Sequence, residues 1–135
     1  MPAVTQLMHH AIRIGKSDED LRKAEHFYGE LLGLELDPNR PYVPGIPGFW
    51  YNVGPNQIHL MGSDDDEPRV IFPQGKSGDP TVPHVALMVD NLDEMRRKFK
   101  TEGIDFWEVS SLTGVPQLFV RDPFGNQIEL QEQPD

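Results

Sequence analysis

Through His9-His10-Ala11-Ile12-Arg13-Ile14 the side chains split by parity: His9, Ala11 and Arg13 on one face, His10, Ile12 and Ile14 on the other. Period-two spacing with β-branched residues predicts a strand over Leu7 to Ile14. Ser17-Asp18-Glu19-Asp20 follows, an acidic cluster suited to a helix N-terminus. Leu21, Ala24, Phe27, Tyr28, Leu31 and Leu32 then recur at helical spacing, and Gly33 is placed to end that helix in the left-handed conformation. A short strand is expected at Leu34-Glu35-Leu36. Residues 37–48 hold four prolines and two glycines around Tyr42 and Val43, which predicts an irregular loop bordering a pocket. Phe49 to Val53 and Gln57 to Met61 read as strands joined by a turn at Gly54-Pro55-Asn56.

The pattern then restarts. Residues 62–81 are linker-like, with Asp64-Asp65-Asp66-Glu67 and a short extended piece expected at Val70-Ile71-Phe72. His84 to Val89 alternates as the first strand does, and Asn91-Leu92-Asp93-Glu94 has the form of a capping box. Leu92, Met95 and Phe99 keep helical spacing until Gly103. Strands are expected at Ile104-Asp105-Phe106, Gln117 to Val120 and Asn126 to Leu130, with a turn at Asp122-Pro123-Phe124-Gly125 and a frayed polar end after Leu130. Each half reads strand, helix, three strands. The last strands are near-identical: Asn56-Gln57-Ile58-His59-Leu60 and Asn126-Gln127-Ile128-Glu129-Leu130. The expectation is one α+β domain over residues 1–135, with module 1 at about 5–61, the linker at about 62–81 and module 2 at about 82–131.

Bulk properties restrict the partners. The formal charge is −10, from 12 Lys and Arg against 22 Asp and Glu, which argues against nucleic-acid or anionic-membrane surfaces. The absence of cysteine removes disulfides, thiolate metal sites and cysteine nucleophiles. No apolar run approaches the ~20 residues of a membrane span, and no signal-peptide core opens the chain. A soluble, cytoplasmic protein acting on a small molecule is the expectation.

The repeat also organises the candidate chemistry. Aligning the first strands pairs His9 with His84; aligning the last pairs His59 with Glu129. On both last strands Ile and Leu share one face, which should lie under the module's helix, leaving His59 and Glu129 on the other. Three imidazoles and a carboxylate at repeat-equivalent positions point to a metal site formed if the two faces come together. A sulfur-free set suits one divalent Fe, Co, Ni, Mn or Zn ion. Two open coordination positions would admit a substrate that chelates through neighbouring oxygens, stabilising an enediolate. Arg13, on the face of His9, is a candidate anchor for a substrate anion.

At this point the residues resemble a known family. His9-His10-Ala11-Ile12-Arg13-Ile14, Phe27-Tyr28 with Leu32-Gly33-Leu34-Glu35, and Arg121 to Leu130 are similar to the vicinal oxygen chelate superfamily. That group includes glyoxalase I, methylmalonyl-CoA epimerase, fosfomycin- and bleomycin-resistance proteins and extradiol dioxygenases. The resemblance implies two tandem βαβββ modules with curled mixed sheets around a metal, and a homodimer. It implies His9, His59, His84 and Glu129 as metal ligands, with Glu129 and His59 as catalytic groups. Arg13, Trp50, Tyr51 and Phe119 are the expected substrate contacts. His59 stands where glyoxalase I usually has Glu, so the second carboxylate base is replaced by imidazole. The favoured expectation is a divalent-metal-dependent, glyoxalase-like lyase or isomerase. The alternatives are an extradiol-type Fe(II) dioxygenase, whose assisting His and Tyr have no counterpart here, and a drug-sequestering protein of bleomycin-resistance type, whose acidic aromatic groove Trp50, Tyr51 and Trp107 would supply.

Overall fold

A computed structural model describes residues 5–63, 84–109 and 115–133. The chain divides into two compact units, Met1–Pro68 and Arg69–Asp135. The first contains β1 (His9–Gly15), α1 (Asp18–Ala24, continued by π-helical turns over Glu25–Leu31), β2 (Glu35–Leu36), β3 (Gly48–Val53) and β4 (Asn56–Ser63). The second contains β5 (Val85–Val89), α2 (Leu92–Glu102), β6 (Phe106–Val109), β7 (Gln117–Arg121) and β8 (Gln127–Glu132). Each unit is a four-stranded mixed sheet of the same topology: β1-β4-β3-β2 in one, β5-β8-β7-β6 in the other. In both, the first strand runs parallel to the last and the remaining pairs are antiparallel. The fold is therefore α+β, two βαβββ modules in tandem.

The first helix begins where the sequence directs it. Ser17 is extended and its hydroxyl accepts from the Asp20 N–H, while three acidic residues occupy the first turn. Its second half widens into π turns, and Leu32 N–H closes on the Phe27 carbonyl. Phe27, Tyr28 and Leu31 are thereby buried with Ala24, whereas Leu21 and Leu32 are only half-buried. Against this helix the sheet presents Ile12, Tyr51, Ile58 and Leu60, all almost fully buried, and the Tyr28 and Tyr51 rings stack with centroids 6.4 Å apart. In the second unit Leu92, Met95 and Phe99 form the buried stripe of α2, each contributing about 1.5–3 kcal/mol by burial. Gly103 closes α2 at φ 69°, and Ile104 N–H returns to the Phe99 carbonyl. That closing turn consumes residues 104–105, so β6 begins at Phe106, two residues later than the expected strand.

Two more elements depart from expectation. Strand β4 continues through Ser63 into the supposed linker, because β1 stays paired with it to Gly15↔Ser63. Strand β8 continues to Glu132, two residues beyond Leu130. Glu132 accepts from Leu92 N–H at the start of α2, and Gln133 N–H bonds the Val89 carbonyl, so the polar end is tied down instead of fraying. The extended piece expected at Val70 to Phe72 lies outside the described residues. No described helix is long and apolar enough to cross a membrane.

Tyr51 is 2% exposed, and burial, with Glu25 nearby, pushes its phenol up to about 12. The folded state thus favours the neutral phenol. Its contribution is complete below the ordinary tyrosine value and disappears as pH rises through about 12. Between those limits the wild type should lose stability faster than Tyr51→Phe, measured as thermal midpoints at pH steps above neutrality.

Candidate functional site

The strand registers place the repeat-equivalent residues in matching surroundings. In the first unit His59 has Trp50 opposite on β3 and Ala11 opposite on β1. In the second, Glu129 has Phe119 opposite on β7 and Ala86 opposite on β5. His9 lies two residues before Ala11, and His84 two before Ala86. The small alanine beside each last-strand residue leaves space over it for the preceding histidine.

In the first unit this produces a three-ring stack. The His9 and His59 centroids are 4.0 Å apart with planes 14° from parallel; Trp50 and His59 are 4.3 Å apart at 6°. The His59 imidazole is held between the other two rings. Burial, reinforced by His9 and Arg40 and opposed by Asp37, lowers its pKa from the ordinary histidine value, so the neutral ring with a lone pair is favoured. Its Nε2 lies 2.9 Å from Gln57 Oε1.

In the second unit His84 Nε2 lies 3.2 Å from Glu129 Oε1, and the His84 ring meets Phe119 edge-on at 5.6 Å. Glu129 is 4% exposed. Its carboxylate also accepts from Gln131 Nε2 at 2.6 Å and, at a long 3.4 Å, from Gln117 Nε2. The amide oxygen of Gln117, Oε1, is buried without a hydrogen-bond partner.

The Arg121-Asp122-Pro123-Phe124-Gly125-Asn126 run forms the turn that leads into the strand carrying Glu129. Asp122 is buried, its Oδ1 accepting from the Phe124 and Asn126 N–H groups and its Oδ2 from Asn126 Nδ2. Gly125 takes φ 88° to complete the turn. The motif fixes the β7–β8 register, which sets Phe119 opposite Glu129.

Beyond the stack, one same-face step along β1 and β4, is an open cleft of about 370 Å³ lined by Ala11, Arg13, Lys16, Ile46, Met61 and Ser63 among others. Its wall is the proline-rich loop. Gly62 N–H bonds the Pro47 carbonyl and Arg40 Nη2 the Ile46 carbonyl. A Cβ on Gly48 would stand 1.8 Å from the Leu60 carbonyl oxygen, so only glycine lets the loop enter β3 this close to β4.

Of the residues singled out in the sequence, the structure brings His9, His59 and Trp50 together in one unit and His84, Glu129 and Phe119 in the other. Arg13 lies in the cleft. Tyr51 does not join them: it alternates with Trp50 on β3 and faces the helix. Among the described residues no group of three or more His, Asp or Glu is gathered closely enough to hold a metal; each unit supplies a pair. Parity places Gln57 on the face of His59, but sequence reasoning gave it no role, and it missed Gln117 and Gln131, although each shares a strand face with a candidate ligand or its neighbour.

Each pair fits a role in holding a divalent ion. Two ligands at ~2.1 Å on adjacent corners of one ion stand ~3 Å apart, close to the His84–Glu129 separation of 3.2 Å. The orphaned Gln117 oxygen adds a neutral acceptor beside the carboxylate. Donors of this nitrogen and oxygen type, one pair in each module, are the side chains that would hold a divalent ion.

The chain belongs to the Glyoxalase/Bleomycin resistance protein/Dioxygenase superfamily, whose sequence profile matches residues 8–130. A Bacillus anthracis protein assigned to the glyoxalase family is 25% identical, with a TM-score of 0.73 over 99% of this chain and 100% of that one. A lactoylglutathione lyase from Agrobacterium tumefaciens is 23% identical, with a TM-score of 0.66 over 97% and 96%. A mutant of the genomically encoded fosfomycin resistance protein of Listeria monocytogenes, complexed with Mn(II) and 1S,2S-dihydroxypropylphosphonic acid, is 16% identical, with a TM-score of 0.72 over 98% and 95%. The last two establish likeness of fold. No curated protein matches the chain.

Proposed function

We propose that the protein is a divalent-metal-dependent enzyme of lyase or isomerase type, acting on a small substrate that chelates the ion through adjacent oxygens. The observation that carries this reading is the register equivalence of His9 with His84 and of His59 with Glu129, which gives each module one pair of metal-binding side chains. When bound, the ion supplies Lewis-acid polarisation of a substrate carbonyl. The chain's own groups do the rest. Glu129, desolvated and aimed by Gln131, is the base that takes a proton from the carbon beside that carbonyl. His59, neutral and clamped between His9 and Trp50, is a ligand or proton carrier. Arg13 and Lys16 in the cleft offer positive charge to an anionic substituent.

The position of that substituent is bounded by geometry. Arg13 is four residues from His9 along β1, or ~13 Å at strand rise, so an anionic group held by Arg13 stands about that far along the strand from His9. Support for catalysis also comes from the superfamily, which contains lyases and fosfomycin-modifying enzymes. The assembly expected with this reading is a homodimer, read by sedimentation.

Protein reconstituted with Mn(II), Co(II), Ni(II), Fe(II) or Zn(II) should be offered hemithioacetals, an epimerisable acyl-CoA, and catechols with oxygen uptake. Metal-dependent, chelator-sensitive turnover of a hydroxycarbonyl substrate supports the proposal. Oxygen consumption with catechols, or tight binding of an aromatic cation without turnover, would overturn it.

A further inference from the structure

The face of the first sheet carries a hydrogen-bonded chain that runs from a carboxylate to an imidazole. The Gln57 side chain donates from Nε2 to Asp37 Oδ2 at 2.8 Å and to Asn52 Oδ1 at 2.9 Å. An amide nitrogen has two hydrogens, so both are committed. Gln57 Oε1 can only accept, and the group facing it at 2.9 Å is His59 Nε2. That nitrogen must therefore carry the proton, which leaves the lone pair on Nδ1.

Asp37 is what makes the direction of the chain unambiguous. Turning the Gln57 amide over would set its oxygen against Asp37, and an ionised carboxylate has no hydrogen to give. Asn52 could turn with Gln57; Asp37 could not. Asp37 is itself fixed, its Oδ1 accepting from Asn39 N–H and its backbone N–H bonding the Trp50 carbonyl. These partners also hold its carboxyl below the usual range, the Asn39 N–H most and the Gln57 amide next. The stack with His9 and Trp50 sets the plane of the His59 ring; the chain sets which nitrogen is protonated.

We infer that Asp37 and Gln57 are positioning residues that lock His59 in the Nε2–H tautomer and present Nδ1 as its lone pair. The second module reaches its own last-strand group differently, with Gln131 and Gln117 donating directly to Glu129. An acceptor is needed to orient an imidazole and donors to orient a carboxylate, so the mismatch between the two repeat copies extends to the amides around them. The inference rests on the proposed function only for what Nδ1 serves; the tautomer belongs to the folded protein itself.

The test is a long-range proton–nitrogen correlation on metal-free, nitrogen-15-labelled full-length protein, with His84 as the internal control. Wild-type His59 should appear as the Nε2–H form with an observable Nε2 proton. In Gln57→Met that proton signal should be lost and the tautomer ratio should relax about fivefold, the worth of one ordinary hydrogen bond. Asp37→Asn should relax it in the same direction, because an amide at 37 lets Gln57 turn over. Unchanged His84 signals show that the second module is undisturbed, and unchanged backbone amide signals of β1, β3 and β4 show that the first module's fold has survived. An Nδ1–H tautomer in the wild type, or a ratio indifferent to both substitutions, would overturn the inference. Affinity for Mn(II) or Co(II) is the second readout, with a loss of about 10–100-fold expected in Gln57→Met. A tautomer that moves while metal affinity does not would uphold the positioning role and count against His59 as a ligand.

Discussion

Glu129→Gln is expected to lower turnover by about 10²–10⁴-fold, the range associated with losing a positioned general base. The substitution keeps volume and shape in a site only 4% exposed, so packing around Phe119, Leu118 and Leu130 should survive. It removes the charge that His84, Gln131 and Gln117 surround. An amide at 129 can accept at only one of the two carboxylate positions and turns its NH2 on a donor at the other, so a modest fall in thermal midpoint is expected beside the much larger fall in kcat. Metal affinity should drop with it. Wild-type kcat with full metal content would show that Glu129 is an architectural carboxylate, and the proposed chemistry would have to be abandoned.

The second large effect falls on stability. Asp122→Ala is expected to cost about 3–5 kcal/mol, read from denaturant midpoints at constant m. Three donors would lose their acceptor at once, two of them backbone N–H groups in a tight turn. Asp122→Asn keeps an acceptor but brings hydrogens toward those donors, so it should cost less. Because the turn sets the β7–β8 register, the residual folded protein should also bind metal less well. A loss below about 1 kcal/mol would mean that the hairpin is held by its strands alone.

The contrast between those two residues shows what was legible in the sequence. The motif around Asp122 and Glu129 is local, and its near-copy at Asn56 to Leu60 revealed the duplication, the two sheets and the pairing of His9 with His84. Parity placed His59 and Glu129 on the faces away from the helices. The same parity puts Trp50 and Tyr51 on opposite faces of β3 whatever the register; the β3–β4 register decides which of them faces His59, and the sequence left that open. Tyr51 accordingly went to the helix side, where Tyr28 meets it. The π turns after Ala24 could not be read, because the heptad-like spacing of Phe27, Tyr28 and Leu31 serves an α-helix equally well. The Asp37–Gln57–His59 chain was invisible for another reason: Asp37 and Gln57 are 20 residues apart, joined through a loop whose path no periodicity describes. Lengthening of β8 to Glu132 depended likewise on a distant partner, the first turn of α2.

The proposed function takes His9, His59, His84 and Glu129 as its metal ligands. Its most direct measurement is an anomalous-scattering map from crystals of the metal-loaded protein, collected at the absorption edge of the added metal. One strong peak per chain is expected, with His9, His59, His84 and Glu129 within bonding distance. A peak held by neither pair, or by one pair alone with the other facing solvent, would contradict it.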